Sequence, residues 1–206
     1  MSLVIGVVGH KPEKLGGYKP HPMHGRIIHD LTSKIKELKP DYVVTGMDQG
    51  VGQWAAQVCQ TLKIPFVAAI PHMGFEDRWP EFARVKYRNL LQQAFSTFVI
   101  SPTPYQPGVY SARNKWVVDS SQAIVAVFDG SEGNTSNCVA QAEVRGLPIH
   151  RIFPGQYQEA VSEAGAVRRA LISGAVARPP VRQTVLAKKP TAEHEEKIFN
   201  RSVEID

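Results

Sequence analysis

Six short apolar runs, LVIGVVG, DYVVTG, FVAAIP, TFVISP, QAIVAVFDG and PIHRIF, recur between Leu3 and Phe153, separated by amphipathic stretches. Being apolar on both sides of the pleat, they suit strands covered on both faces rather than half-solvated ones. The stretches between them keep helical spacing. In HGRIIHDLTSKIKELKP, Ile27, Ile28, Leu31, Ile35 and Leu38 fall on one side, and Pro40 stops the helix. VGQWAAQVCQTLKIP, WPEFARVKYRNLLQQAFS, the short ARNKWVVDSS and TSNCVAQAEVRG repeat that pattern. Strand and helix alternating over short connections predict an α/β chain of Rossmann-like, doubly wound type. Its mostly parallel sheet has about six strands, with helices on both faces.

The 206 residues, 43% apolar, suit one globular domain. We assign residues 1–153 to it. Residues 154–206 are expected to form one further helix, over QYQEAVSEAGAVRRALISG, and a loosely ordered tail poor in large apolar residues. No apolar run approaches the roughly 18 residues of a membrane span, and MSLVIGVVGHK lacks the basic start of a signal peptide. A cytoplasmic protein without membrane contact is expected. Cys59 and Cys138 fall in separate helical segments, as buried reduced thiols do. The net charge of +5 is dispersed, and Arg84, Lys86 and Arg88 read as a solvated helix face. Without a concentrated cationic stripe, nucleic acid is disfavoured as a partner.

In open parallel sheets, ligands bind outside the carboxyl ends of the strands, so the loops there carry the chemistry. In DGSEGNTSN, Gly130 and Gly133 permit tight turns, and Asp129, Ser131, Asn134, Thr135 and Ser136 add polar groups where a helix begins. Free N–H groups and the helix dipole favour a phosphate at such a point. The plainer alternative is a glycine turn with Thr135 as N-cap. In TGMDQGVG, Gly46 and Gly50 allow close backbone approach, and Asp48, beside Gln49, either holds a ribose hydroxyl or caps the next helix. Gly9, His10 and Lys11 follow the first strand as candidate phosphate contacts. Arg113 and Lys115 sit at the start of a helix, and the planar fork of Arg113 suits anionic oxygens. Trp79 is a candidate lid for a base. Neither G-x-G-x-x-G nor G-x-x-x-x-G-K-[ST] occurs, which disfavours NAD dehydrogenases and P-loop NTPases. His10, His21, His24 and His29 lack metal-site spacing, so neither metal nor cofactor is expected.

The succession GHKPEKLGGY, TGMDQGVGQWAAQ, IPHMGFEDRWP and YSARNKWVVDSSQAIVAVFDGSEGNTSNCVAQAE resembles the YpsA-like branch of the SLOG superfamily, over about residues 5 to 152. That superfamily also holds the LOG phosphoribohydrolases and the DprA recombination mediators. The resemblance implies a nucleotide or ADP-ribose-type ligand, bound by a sensor or sequestering protein, and homo-oligomerisation. In LOG enzymes an arginine and the glutamate of P-G-G-x-G-T-x-x-E hydrolyse an N-glycosidic bond. Arg113 corresponds to that arginine, whereas the glutamate position falls on Asn137. A hydrolase of this type would therefore draw its carboxylate from Glu132, Asp48 or Glu143. TGMDQG is similar to the DprA turn, which implies a third reading, a single-stranded DNA accessory protein.

Overall fold

The computed structural model describes residues 2–157 and residue 162. The strands are β1 (Val4–Gly9), β2 (Tyr42–Thr45), β3 (Phe66–His72), β4 (Ser96–Ser101), β5 (Ala123–Val127) and β6 (Ile149–Ile152). They form one sheet in the order β4-β3-β2-β1-β5-β6, with every pair parallel. The helices are α1 (Pro22–Leu38), α2 (Val51–Leu62), α3 (Glu81–Leu91), α4 (Val109–Asp119) and α5 (Asn134–Val144), with a 3₁₀ turn at Pro12–Lys14. The fold is thus the expected open Rossmann-like α/β architecture. The expectations for the C-terminal helix and tail lie outside the described residues beyond Tyr157, Ser162 apart.

Residues on β5 show how the sheet is covered. Ala123, Val125 and Val127 join the cluster that holds Ile27, Leu31 and Ile35 of α1 and Trp54 and Val58 of α2. Ile124 and Ala126 face the other way, onto Val118 of α4 and Cys138, Val139 and Ala142 of α5. Alternate side chains of one strand therefore fill two cores, which is why the run reads as continuously apolar. Strand order reverses between β1 and β5, whose carboxyl ends lie side by side, Gly9 opposite Val127. A crevice opens at such a switch point.

Two elements differ from their sequence expectation. β4 is an edge strand bonded only to β3, and its Phe98 is 44% exposed, stacked on Trp116 at 4.5 Å. Position at the sheet margin, which composition does not encode, leaves that face open. Helix α4 begins at Val109, just after Gly108, so Arg113 lies a full turn inside it rather than at its start. The polar residues Arg113 and Asn114 are buried at 4% and 3% exposure, which breaks the apolar period that marks a helix.

Helix α2 starts hard against the end of β1. A Cβ on Gly9 would lie 2.7 Å from Cβ, Cγ1 and Cγ2 of Val51. Gly9 therefore sets how closely α2 approaches the crevice. Gly9→Ala is expected to destabilise the fold by about 1–3 kcal/mol through overpacking, read as a lower urea midpoint.

Candidate functional site

The crevice contains a cavity of about 310 Å³. Its floor is built around Arg113, which reaches from α4 across to the loop after β2. Its Nη1 donates to Asp48 Oδ2 at 2.6 Å and to the Gly46 carbonyl at 3.1 Å, while Nε donates to Asn114 Oδ1 at 3.1 Å. A Cβ on Gly46 would fall 1.9 Å from Nη1, so only glycine leaves room for the guanidinium. Asp48 does not cap α2. One of its oxygens holds Arg113, and Oδ1 is buried without a hydrogen-bond partner. A buried acceptor left without a donor is uncommon and calls for one.

Helix α5 supplies the opposite wall. Its N-cap is Gly133, not Thr135, and Ser136 closes a local box: Gly133 N–H donates to Ser136 Oγ at 2.9 Å, and Oγ donates to the Gly133 carbonyl at 2.8 Å. Asn134 and Thr135 line the cavity at the first helical positions, whose N–H groups have no carbonyl four residues back to bind. The loop before the helix is held by the segment after β1. Lys14 Nζ donates to Ser131 Oγ at 2.6 Å and to the Glu132 carbonyl at 3.0 Å. The Ser131 amide and hydroxyl donate to Asp129 Oδ1 at 2.9 and 2.6 Å, and His10 Nε2 lies 2.7 Å from the same oxygen.

These contacts shift two titrations. Burial pushes the His10 pKa below its usual value, and the hydrogen bond and charge of Asp129 offset this only in part. Burial alone would raise the Asp129 pKa, but the Ser131 hydroxyl and amide and the His10 ring outweigh it and hold the carboxyl well below the carboxylate range.

The anticipated residues separate into groups. Gly9, His10, Lys11, Gly46, Asp48, Arg113, Glu132, Gly133, Asn134 and Thr135 line the cavity. Gly50, Asp129, Gly130 and Ser131, in the loops after β2 and β5, and Ser136 in the first turn of α5 do not line it. Gln49 and Trp79 line an adjoining basin of about 400 Å³, which Lys11 shares. Lys115 and Glu143 stand apart on the surface, paired with Asp119 at 2.5 Å and Arg151 at 2.6 Å. Asn137 is engaged by Asn114 Nδ2 at 3.1 Å and Gln141 Nε2 at 3.0 Å. Sequence reasoning missed Lys14 and Asn114. The first could have been found from the Pro12 start of a 3₁₀ turn, which sets Lys14 one turn beyond Lys11. The second carried only the signal of a polar residue beside Arg113.

His21 caps α1, its Nδ1 accepting from Met23 N at 3.3 Å, and the His24 ring packs on Trp54 at 4.8 Å. Among the described residues no group of three or more His, Cys, Asp or Glu side chains is placed to hold a metal. Likewise, among them no helix is long and apolar enough to cross a membrane.

Removing one partner of a buried ion pair leaves an uncompensated charge. Arg113→Met is therefore expected to cost about 3 kcal/mol in urea unfolding, and Arg113→Met combined with Asp48→Leu to cost less. Because the folded His10 pKa is depressed, its neutral ring stabilises the fold above the ordinary value of 6.5, and that contribution is lost as pH falls through the folded value. His10→Gln should accordingly flatten the decline of the urea midpoint between about pH 7 and about pH 5.

Comparison with known proteins places this geometry in a family. The UPF0398 protein of Bacillus thuringiensis (strain Al Hakam) is 28% identical over 149 residues, covering 68% of this chain and 81% of its own. DNA processing protein A (DprA) from Streptococcus pneumoniae superposes with a TM-score of 0.54 at 13% identity, over 74% of this chain. This chain covers 50% of that protein's length. DprA from Helicobacter pylori, whose structure concerns its single-stranded DNA binding mode, superposes at 0.53 with 16% identity, over 73% of this chain and 65% of its own. These two structural likenesses concern the fold alone. The model described as the YspA SLOG family matches residues 5–147, a span that takes in β2 to β5, all but the first residue of β1 and the whole cavity wall, and the chain belongs to that YpsA family.

Proposed function

We propose that the chain binds a nucleotide or ADP-ribose-type small molecule at the carboxyl edge of its sheet, as a sensor or sequestering protein. One observation carries this reading. Asn134 and Thr135 at the start of α5, with the cation Lys14, line the same cavity as Asp48, whose Oδ1 is buried without a partner. Amides at a helix start favour a phosphate, and a buried carboxylate oxygen favours a sugar hydroxyl. A ribose phosphate presents both. The loop is already tied down by Lys14 and His10, so little ordering opposes binding.

A second reading, N-glycosidic hydrolysis, is favoured by Glu132 and Asp48, which line the cavity together with Arg113. Glu143 and Asn137 contribute no carboxylate there, given their partners on the surface and on α4. The DNA accessory reading has less support. Arg84 is paired with Glu81, and Arg88 with Glu76, so the α3 stripe is already largely neutralised.

Thermal unfolding with ADP-ribose, AMP and ribose 5-phosphate tests the proposal, followed by chromatography for released base. At 100 times its dissociation constant a ligand adds about 2.7 kcal/mol. Lys14→Ala, an exposed substitution, is expected to weaken binding about tenfold through loss of a charged hydrogen bond. Absence of any midpoint shift across the panel would sink the binding reading. Release of free base that Glu132→Gln abolishes would establish the hydrolase instead.

A further inference from the structure

The basin of about 400 Å³ beside the crevice has a composition unlike it. Tyr18, Trp79, Phe82 and Tyr110 surround it, with Lys11 and Arg78. Trp79 is held firmly: its ring meets Phe75 at 5.0 Å and Tyr87 at 5.2 Å, both buried. Tyr18 and Phe82 are 56% and 76% exposed, and the Tyr18 hydroxyl donates to Glu13 Oε1 at 2.6 Å. No carboxylate lines the basin, and among the described residues Lys11 and Arg78 form no ion pair. Cations beside open aromatic faces disfavour a cationic guest and suit a planar, electron-rich ring, on which tyrosine, tryptophan and guanidinium all stack.

The basin and the phosphate cavity adjoin. Lys11 lines both. Tyr110 lines the basin, and its ring centre lies 6.0 Å from Cζ of Arg113, which lines the cavity, so that Tyr110 and Arg113 stand at the boundary. At about 310 and 400 Å³, each space alone is near the small end of ligand sites, which run from roughly 300 to 1,000 Å³. A ligand with a base, a phosphate group and a second sugar fills both, where a sugar phosphate fills one.

We infer that the ligand is a nucleoside diphosphate derivative spanning both spaces, with its base in the aromatic basin and its phosphates running past Lys11 to the start of α5. A distal sugar then lies over Asp48 and Arg113. This rests on reading the first cavity as the phosphate site. Single-stranded DNA would also offer stacked bases, but a continuing strand needs a cationic path beyond the basin. On α3 the arginines that would form it are taken by Glu76 and Glu81.

Isothermal titration of the full chain with ADP-ribose and GDP, compared with ribose 5-phosphate, tests the inference. Stacking of one base is commonly worth tenfold or more in affinity, so ADP-ribose or GDP should bind at least tenfold tighter than ribose 5-phosphate. Tyr18→Ala and Arg78→Ala, both at exposed positions, should each weaken that tighter binding at least fivefold and leave ribose 5-phosphate unchanged. The tighter ligand should also quench tryptophan emission, and Trp79→Phe should remove the quenching. If ribose 5-phosphate binds as tightly as both larger compounds, and Tyr18→Ala alters none of them, the basin is no base site, while the phosphate reading stands. If none of the three binds, both readings fall. Retention of oligo-dT that Tyr18→Ala and Arg78→Ala abolish, with no small compound bound, would overturn the inference in favour of DNA.

Discussion

The geometry of the crevice depends on one buried ion pair. Arg113 cannot lose its charge, and at 4% exposure it must find acceptors within the protein. It takes three: Asp48, the Gly46 carbonyl and Asn114. The first two belong to the loop after β2, so the pair fixes α4 against that loop. Asn114 in turn donates to the Asn134 carbonyl at 2.9 Å, which fixes α5 against α4. Three chain segments far apart in sequence are thus registered around a single guanidinium.

A second set of contacts acts from the other side. Lys14 and His10, both in the segment after β1, grip the loop that precedes α5 through Ser131, the Glu132 carbonyl and Asp129. Asp129 Oδ1 is taken up by His10 and Ser131, so Asp129 helps to hold this loop. The segment that carries the α5 start is thereby held in one conformation. Electrostatic sites work best when their dipoles need no rearrangement on binding, and here neighbouring side chains meet that requirement.

The sheet and its helices were legible in the sequence because β1, β2, β3 and β5 are buried on both faces, and their apolar runs carry no solvent-facing interruption. β4 carried the same apolar character, yet its place at the sheet margin follows from pairing order and not from composition. Within the site, Gly46 and Asp48 were recognisable as residue types suited to a strand-end loop, and Arg113 as a cation near a helix start. What could not be read was direction. Successive helical residues differ by about 100°, so Asn114 turns inward while Lys115 turns to solvent. Lys11 and Lys14 lie one 3₁₀ turn apart, and only the structure shows that Lys14 grips the loop while Lys11 stands between the two spaces. Glu143 is a carboxylate near the end of α5, and its distance from the helix start decides its fate in favour of Arg151.

The contact between Gly46 and Arg113 has an evolutionary consequence. The guanidinium occupies the volume in which any larger side chain at position 46 would begin. A relative that carries alanine or serine at the equivalent of position 46 cannot keep an arginine in this pose. Losing the arginine first strands Asp48. Neither change is neutral alone, so the two positions are expected to diverge jointly or stay fixed, and a lineage that has altered both has rebuilt this floor.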